Sequence, residues 1–158
     1  MKFLKVLLTV TLTSSIALTA SVSADKKKKS PEELAAKYRQ NTFQMAKHHF
    51  GPMAGMVKGK IDFNKDVFAK NADALALIGQ LTSNGFDVEG IAKKSRAKKE
   101  IWENKAEFNK VVAAFEENTQ ALSEAAKSGD LDTIKPAFAK VADTCKQCHN
   151  DYREKKKK

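Results

Sequence analysis

The sequence is poor in residues that break a chain or staple it. Its 158 residues include three prolines, seven glycines and two cysteines. So little Gly and Pro excludes collagen-like and low-complexity chains. Two cysteines cannot knit a small disulfide scaffold. Strand signals are lacking too: no run alternates with period two, and no Asn-Gly or Asp-Gly joins two β-branched segments. No internal repeat is visible. Long apolar runs are confined to the first 20 residues, so nothing later in the chain reads as a membrane span. Acidic residues are also in deficit, 19 against 29 Lys and Arg, which leaves a net charge of +10. A basic chain raises the question of nucleic acid.

The position of the charge answers it. Residues 1–24 carry Lys2 and Lys5, an apolar stretch from Val6 to Ala20, and Val22-Ser23-Ala24. That is the pattern of a secretory signal peptide cleaved after Ala24, and it predicts export to the periplasm. Asp25 to Lys29 forms a lysine-rich tail of +3, and Lys155 to Lys158 a second tail of +4. The body between them, residues 30–154, carries 19 basic and 18 acidic residues and is nearly neutral. The one internal basic run, Lys93-Lys94-Ser95-Arg96-Ala97-Lys98-Lys99, has no aromatic to stack on a base. Nucleic acid is therefore not the expected partner, nor is a membrane once the signal is removed.

What the chain has is helical periodicity. Ser30-Pro31-Glu32-Glu33 is a capping box with proline at the first helical position. It opens a first helix that runs to about Lys58, with a kink expected at Gly51-Pro52 and Gly59 as its stop. Leu34, Tyr38, Met45 and His49 form one stripe, and Phe43, Ala46 and Phe50 a neighbouring one. A second helix spans about Asn64 to Leu81, with Val67, Phe68, Leu75, Ile78 and Leu81 expected inward. After Ser83-Asn84-Gly85 comes an irregular stretch to about Lys99. A third helix then carries Ile101, Phe108, Val111, Val112, Phe115 and Leu122 to about Lys127. Beyond Ser128-Gly129-Asp130 a fourth runs from about Asp132 to Glu154. Short connections between amphipathic helices predict an all-α, antiparallel, up-down-up-down four-helix bundle over residues 30–154.

The chemistry-bearing motif is Cys145-Lys146-Gln147-Cys148-His149. Cys-x-x-Cys-His is the attachment signature of a c-type haem. On a helix, the two thiols and the imidazole span an arc of about 100°. The thiols then meet the two vinyl groups at one porphyrin edge, and the imidazole binds iron beneath the ring. Three other readings compete. A thioredoxin-like thiol pair wants a strand-to-helix setting. A structural zinc site wants four ligands, so His48 and His49 would have to complete it. A plain disulfide is chemically open to an exported chain, although so short a loop stabilises little.

The chain also resembles the cytochrome c-prime family, the class II c-type cytochromes, over nearly all of its mature length. The resemblance rests on Tyr38-Arg39-Gln40, Phe50-Gly51, Glu100-Ile101-Trp102, Gly129-Asp130-Leu131-Asp132 and the run from Cys145 through Arg153. Cytochromes c-prime are themselves among the examples that define the up-down-up-down bundle. The resemblance implies one haem c, attached through Cys145 and Cys148, with His149 as the single axial ligand of a five-coordinate, high-spin iron. It places Phe43 over the distal face, where many members have leucine. Arg39 and Gln40 match positions that contact the haem propionates, and Arg153 matches an arginine beside the proximal histidine; solvated surface roles are the alternatives for all three. Such proteins bind nitric oxide and carbon monoxide, and protection from nitric oxide is one implied role. They commonly pair as homodimers through the first two helices.

A rival reading within the same fold is an electron carrier between periplasmic donors and acceptors, with a methionine of the first helix as sixth ligand. Met45, Met53 and Met56 are the candidates. Met45 lies about 160° around the helix from Phe43, so the two cannot both face the iron. No acid or base other than His48 and His49 lies near Phe43, so the chain is not read as an enzyme.

Overall fold

The computed structural model describes residues 28–155. The expected signal segment, 1–24, lies outside the described residues, as do residues 25–27 and 156–158 of the two lysine-rich tails. The elements are α1 (Pro31–Val57), α2 (Lys65–Leu81), a 3-10 turn (Ser83–Phe86), the single turn α3 (Glu100–Glu103), α4 (Lys105–Ala126) and α5 (Leu131–Tyr152). The four long helices form the expected antiparallel bundle. Among the described residues, no helix is long and apolar enough to cross a membrane.

Local chemistry sets the helix ends. At the start of α1 the Ser30 hydroxyl accepts from the Glu33 amide at 3.3 Å, and the Glu33 carboxylate accepts from the Ser30 amide at 3.1 Å, the reciprocal capping box read from sequence. Gly59 follows the last turn at φ +65°, a conformation costly for a residue with a Cβ. Asn64 caps α2 through its side-chain oxygen. Asp130 caps α5, accepting from the amides of Asp132 and Thr133. The first helix continues past Gly51-Pro52 as expected. One departure from the sequence reading occurs. The third predicted helix is broken at Asn104, which leaves helical geometry at φ −122°, ψ 49°. Asparagine competes with the helix through its own side chain.

The buried residues fall into two clusters. The larger joins Met53, Met56, Phe68, Leu75, Phe115, Leu122, Ile134, Phe138 and Val141 from all four long helices. The smaller consists of Phe86, Ile101, Phe108 and Val112, with Trp102 and Tyr152 packed against it. Every residue expected inward on the third helix is buried.

In the second helix Phe68, Leu75 and Ile78 are buried as expected. Other positions on the first two helices differ from expectation. Leu34, Tyr38 and Met45 of α1, and Val67 and Leu81 of α2, are exposed, as is Leu77. The inner face of α1 instead carries Ala35, Ala36, Arg39, Met53 and Met56. Periodicity reveals that an apolar stripe exists, but not whether the same chain covers it. Both helices have two such stripes, and the bundle uses one.

Candidate functional site

The helix packing is asymmetric. α2 packs along both α1 and α4, and α4 along α5, whereas α1 and α5 have no comparably extensive approach. One aromatic pair joins them: Phe50 of α1 stacks on Phe138 of α5, ring centroids 4.6 Å apart and 15° from parallel. This pair sets a register for the two antiparallel helices. Phe43 lies seven residues before Phe50, and Cys145 seven residues after Phe138. At about 1.5 Å per residue, both sit about 10 Å along the same direction. Arg39 and His149 are each eleven residues from the pair. Steps of seven and eleven return a helical side chain to within about 20° of its starting face. Phe43 and Arg39 therefore point the way Phe50 does, towards α5, while Cys145 and His149 point the way Phe138 does, towards α1.

The motif also lies where the two buried clusters meet. Cys145 packs against the larger cluster, and Tyr152, one turn beyond His149, against the smaller. An aromatic chain crosses to the opposite wall. Phe43 meets Phe86 at 6.4 Å, Phe86 meets Phe108 at 4.7 Å, and Phe108 meets Tyr152 at 5.0 Å.

Arg39 is the unusual member of this wall. It is 5% exposed, and its guanidinium carbon lies 5.1 Å from the ring centre of Phe86 and 5.7 Å from that of Trp102. Its Nη1 donates to the Gly85 carbonyl at 2.6 Å, and Trp102 donates its indole N–H to the Phe86 carbonyl at 3.3 Å. The Arg39 Nη2 is buried with no protein partner, a donor that demands an acceptor such as a carboxylate. Burial lowers the Arg39 pKa, which an anionic partner would counter. Gln40, by contrast, is exposed and has no comparable setting.

Both cysteines are half-buried and unpaired. Burial pushes the Cys145 thiol up, and burial plus the neighbouring Cys145 pushes Cys148 up to about 11. These are neutral thiols in an apolar setting, the reverse of the low-pKa thiolate of a redox-active Cys-x-x-Cys. The disulfide and zinc readings also lose ground. Among the described residues no three His, Cys, Asp or Glu side chains converge on a metal position. Partial burial and the nearby Arg96 lower the His149 pKa, which favours the uncharged imidazole that can donate a lone pair to a metal. Arg153 Nη1 lies 3.5 Å from His149 Nε2. Two neutral thiols, a neutral imidazole and a facing orphaned guanidinium form a donor set that fits a covalently attached haem with an ionised propionate.

The irregular segment before α3 holds the end of α5 in place. Lys98 donates its amide to the Tyr152 carbonyl at 3.0 Å, and Glu154 donates to the Arg96 carbonyl at 2.8 Å. Lys98 Nζ donates to the carbonyls of Asn150 and Asp151, both at 3.0 Å. These carbonyls end a helix and have no intrahelical partner. Sequence reasoning missed Gly85, Phe86, Arg96 and Lys98 because this stretch has no period; an aromatic and a basic run in an otherwise patternless segment were the available signals.

The three methionines of α1 are accounted for by packing. Met53 and Met56 are buried in the larger cluster. Met45 is 54% exposed and lies beside His48 and His49, away from Phe43.

Comparison with known proteins agrees with this geometry. A cytochrome c′ of Alcaligenes xylosoxydans xylosoxydans is 38% identical over 128 residues, 80% of this chain and 97% of that protein. The solved cytochrome c prime of Shewanella frigidimarina superposes with a TM-score of 0.77 at 36% identity, covering 81% of this chain and all of that one. A ferrous variant of the Alcaligenes xylosoxidans protein with nitric oxide bound superposes at 0.74 and 34% identity, covering 82% of this chain and all of that one. Cytochromes c′ as a family carry a covalent c-type haem with a histidine axial ligand and bind gases or electrons rather than catalyse a reaction. The family model for cytochrome C′ matches residues 34–153, and the chain belongs to the cytochrome c′ family.

Proposed function

We propose that this chain is a periplasmic gas-binding cytochrome whose one haem c is attached through Cys145 and Cys148. Cys145 and Cys148 would hold the group through thioethers, and His149 would supply a nitrogen ligand to its iron. A haem held there supplies an iron that binds small diatomics. The protein's residues decide which ones reach it. The observation that carries the reading is the register set by Phe50 and Phe138, which puts Phe43 level with Cys145 and Arg39 level with His149.

Phe43 stands over the distal side. Its phenyl ring has no lone pair to offer an iron, and Met45 faces away, so neither would supply a sixth ligand. A neutral diatomic enters when the ring turns aside; bulky or charged ligands are excluded. Arg39 would give its free Nη2 to a propionate, and Gln40, at the exposed rim, would meet the same group through solvent. Arg153 approaches the lone pair of His149 that an iron takes, so in the loaded protein it flanks the imidazole on the proximal side.

Nitric oxide and carbon monoxide are the ligands that this pocket suits. Nitric oxide bound to the ferrous Alcaligenes variant supports the first. A second copy of the chain is the proposed partner for the exposed row of Leu34 and Tyr38 on α1 with Leu77 and Leu81 on α2. The two halves of that row are tied by the Tyr38 hydroxyl, which donates to the Leu81 carbonyl at 3.1 Å. Leu77→Glu then yields a monomer in sedimentation.

The deciding measurement is visible absorption of the ferrous protein before and after nitric oxide. A broad high-spin spectrum that changes on adding the gas is expected. Sharp, split low-spin bands insensitive to it would show a sixth protein ligand and overturn the reading in favour of electron transfer.

A further inference from the structure

On the outer side of α1, away from the motif, Met45, His48 and His49 line a shallow depression together with Asn41 and Gln44. Positions three and four apart on a helix lie side by side, so the Met45 thioether is adjacent to both imidazoles. His48 and Met45 are exposed and His49 is half-buried. The ring centroids of His48 and His49 are 5.2 Å apart. With imidazole–metal bonds of about 2 Å, two rings that share one ion have centres roughly 4.5–6 Å apart, so the pair is already at a chelating separation.

The hydrogen bonds behind His49 give it the correct tautomer. Asn71 donates its amide nitrogen to the Val67 carbonyl at 2.7 Å, which turns its Oδ1 towards His49. That oxygen only accepts, and it lies 3.0 Å from His49 Nδ1. Nδ1 therefore carries the proton, and the lone pair is left on Nε2. A ring N–H held by a fixed acceptor, with the other nitrogen free, is the usual support of a metal-bound histidine.

From this arrangement we infer that Met45, His48 and His49 form a surface site for cuprous copper, with Asn71 as its positioning residue. The donor set selects the metal. Among the described residues no third His, Cys, Asp or Glu side chain joins the two histidines, so hard cations and tetrahedral zinc lack ligands. A thioether beside two imidazoles suits a soft monovalent ion that accepts three donors. The chain has three histidines in all; with His149 engaged in the haem site, His48 and His49 are the pair open to a second metal. The site is complete within one chain and does not rest on the gas-binding reading.

The test titrates the haem-loaded protein with cuprous ion under anaerobic, reducing conditions against a coloured cuprous chelator. In that form Cys145 and Cys148 are thioethers and do not compete. One ion per chain is expected. His48→Ala and His49→Ala should each weaken binding about 100-fold or more. Asn71→Ala should weaken it about 10- to 100-fold, as loss of an outer partner does, with haem absorption unchanged. Met45→Leu should weaken cuprous binding at least about tenfold while leaving the weaker binding of zinc ion within about twofold. The inference is overturned by absence of saturable competition, by binding that survives the double His48→Ala/His49→Ala change, or by equal loss of both metals in Met45→Leu.

Discussion

Arg39 and Gly85 are fitted to each other. The arginine donates to the Gly85 carbonyl at 2.6 Å, and a Cβ placed on Gly85 would lie 2.6 Å from Arg39 Cγ and 3.1 Å from Tyr38 Cδ1. Gly85 is required here for close approach. Its lack of a side chain lets α1 and the 3-10 turn come together, and that contact occupies Nη1 while Nη2 stays buried without a protein partner.

Gly85→Ala should therefore displace Arg39, because a side chain stacked between Phe86 and Trp102 has no room to yield. Overpacking of this kind costs about 1–3 kcal/mol. Arg39→Met should cost more in the haem-loaded protein, about 3 kcal/mol, because it leaves a buried propionate without its partner. Thermal unfolding of both forms checks the pair. The loss in Arg39→Met should be smaller in the haem-free chain; an equal loss would show that Arg39 acts only through packing.

Phe43 is 36% exposed and touches Phe86 on one side, so its ring is held but not locked. Phe43→Ala should raise the association rate of carbon monoxide with the ferrous protein by about tenfold or more, a barrier lower by about 1.4 kcal/mol. Flash photolysis measures this directly. Unchanged rates would place the gate elsewhere.

Lys98 is the cap of the haem-bearing helix. Replacing it with Met leaves the Asn150 and Asp151 carbonyls to water and removes a cation from the helix C-terminus, an effect worth about 0.3–1 kcal/mol. Amide exchange should accelerate in the last turn of α5 before anywhere else in that helix. Uniform protection across α5 in Lys98→Met would show that the backbone bonds of the neighbouring bridge suffice.

Asp130 supplies a pH dependence whose sign follows from its cap. Hydrogen bonds from the Thr133 hydroxyl and amide, then from the Asp132 amide, hold its carboxyl below the usual aspartate range. A carboxylate with a lowered folded-state pKa stabilises the fold fully above its unfolded value, and that contribution disappears as pH falls through the folded value. Asp130→Asn, which keeps an oxygen for the cap, should flatten this acid limb while leaving the melting temperature near neutrality little changed. The group is fully exposed, so added salt should shrink the difference. Thermal melts followed from neutrality down through the acid range test it.

The sequence alone determined what is local. Capping boxes, glycine stops and the 3.6-residue period are properties of a few neighbouring residues, so the long helices and most of their limits were legible. The spacing of Cys145, Cys148 and His149 was legible for the same reason: it is the geometry of one helix, whatever lies around it.

Tertiary structure decided which face each helix turns inward, and what meets the motif. α1 and α2 carry apolar residues on more than one side, and periodicity cannot rank two stripes, so Leu34, Tyr38 and Val67 look like core until the packing shows them outside. The wall opposite His149 comes from residues far apart in the chain. Arg39 becomes a buried, half-satisfied cation only because Gly85 admits it and Phe86 and Trp102 enclose it. Phe43 reaches the level of Cys145 only because Phe50 stacks on Phe138. Such register is a relation between helices, fixed by side chains that interlock at close range, and a single chain read residue by residue contains the interlocking parts but not their pairing.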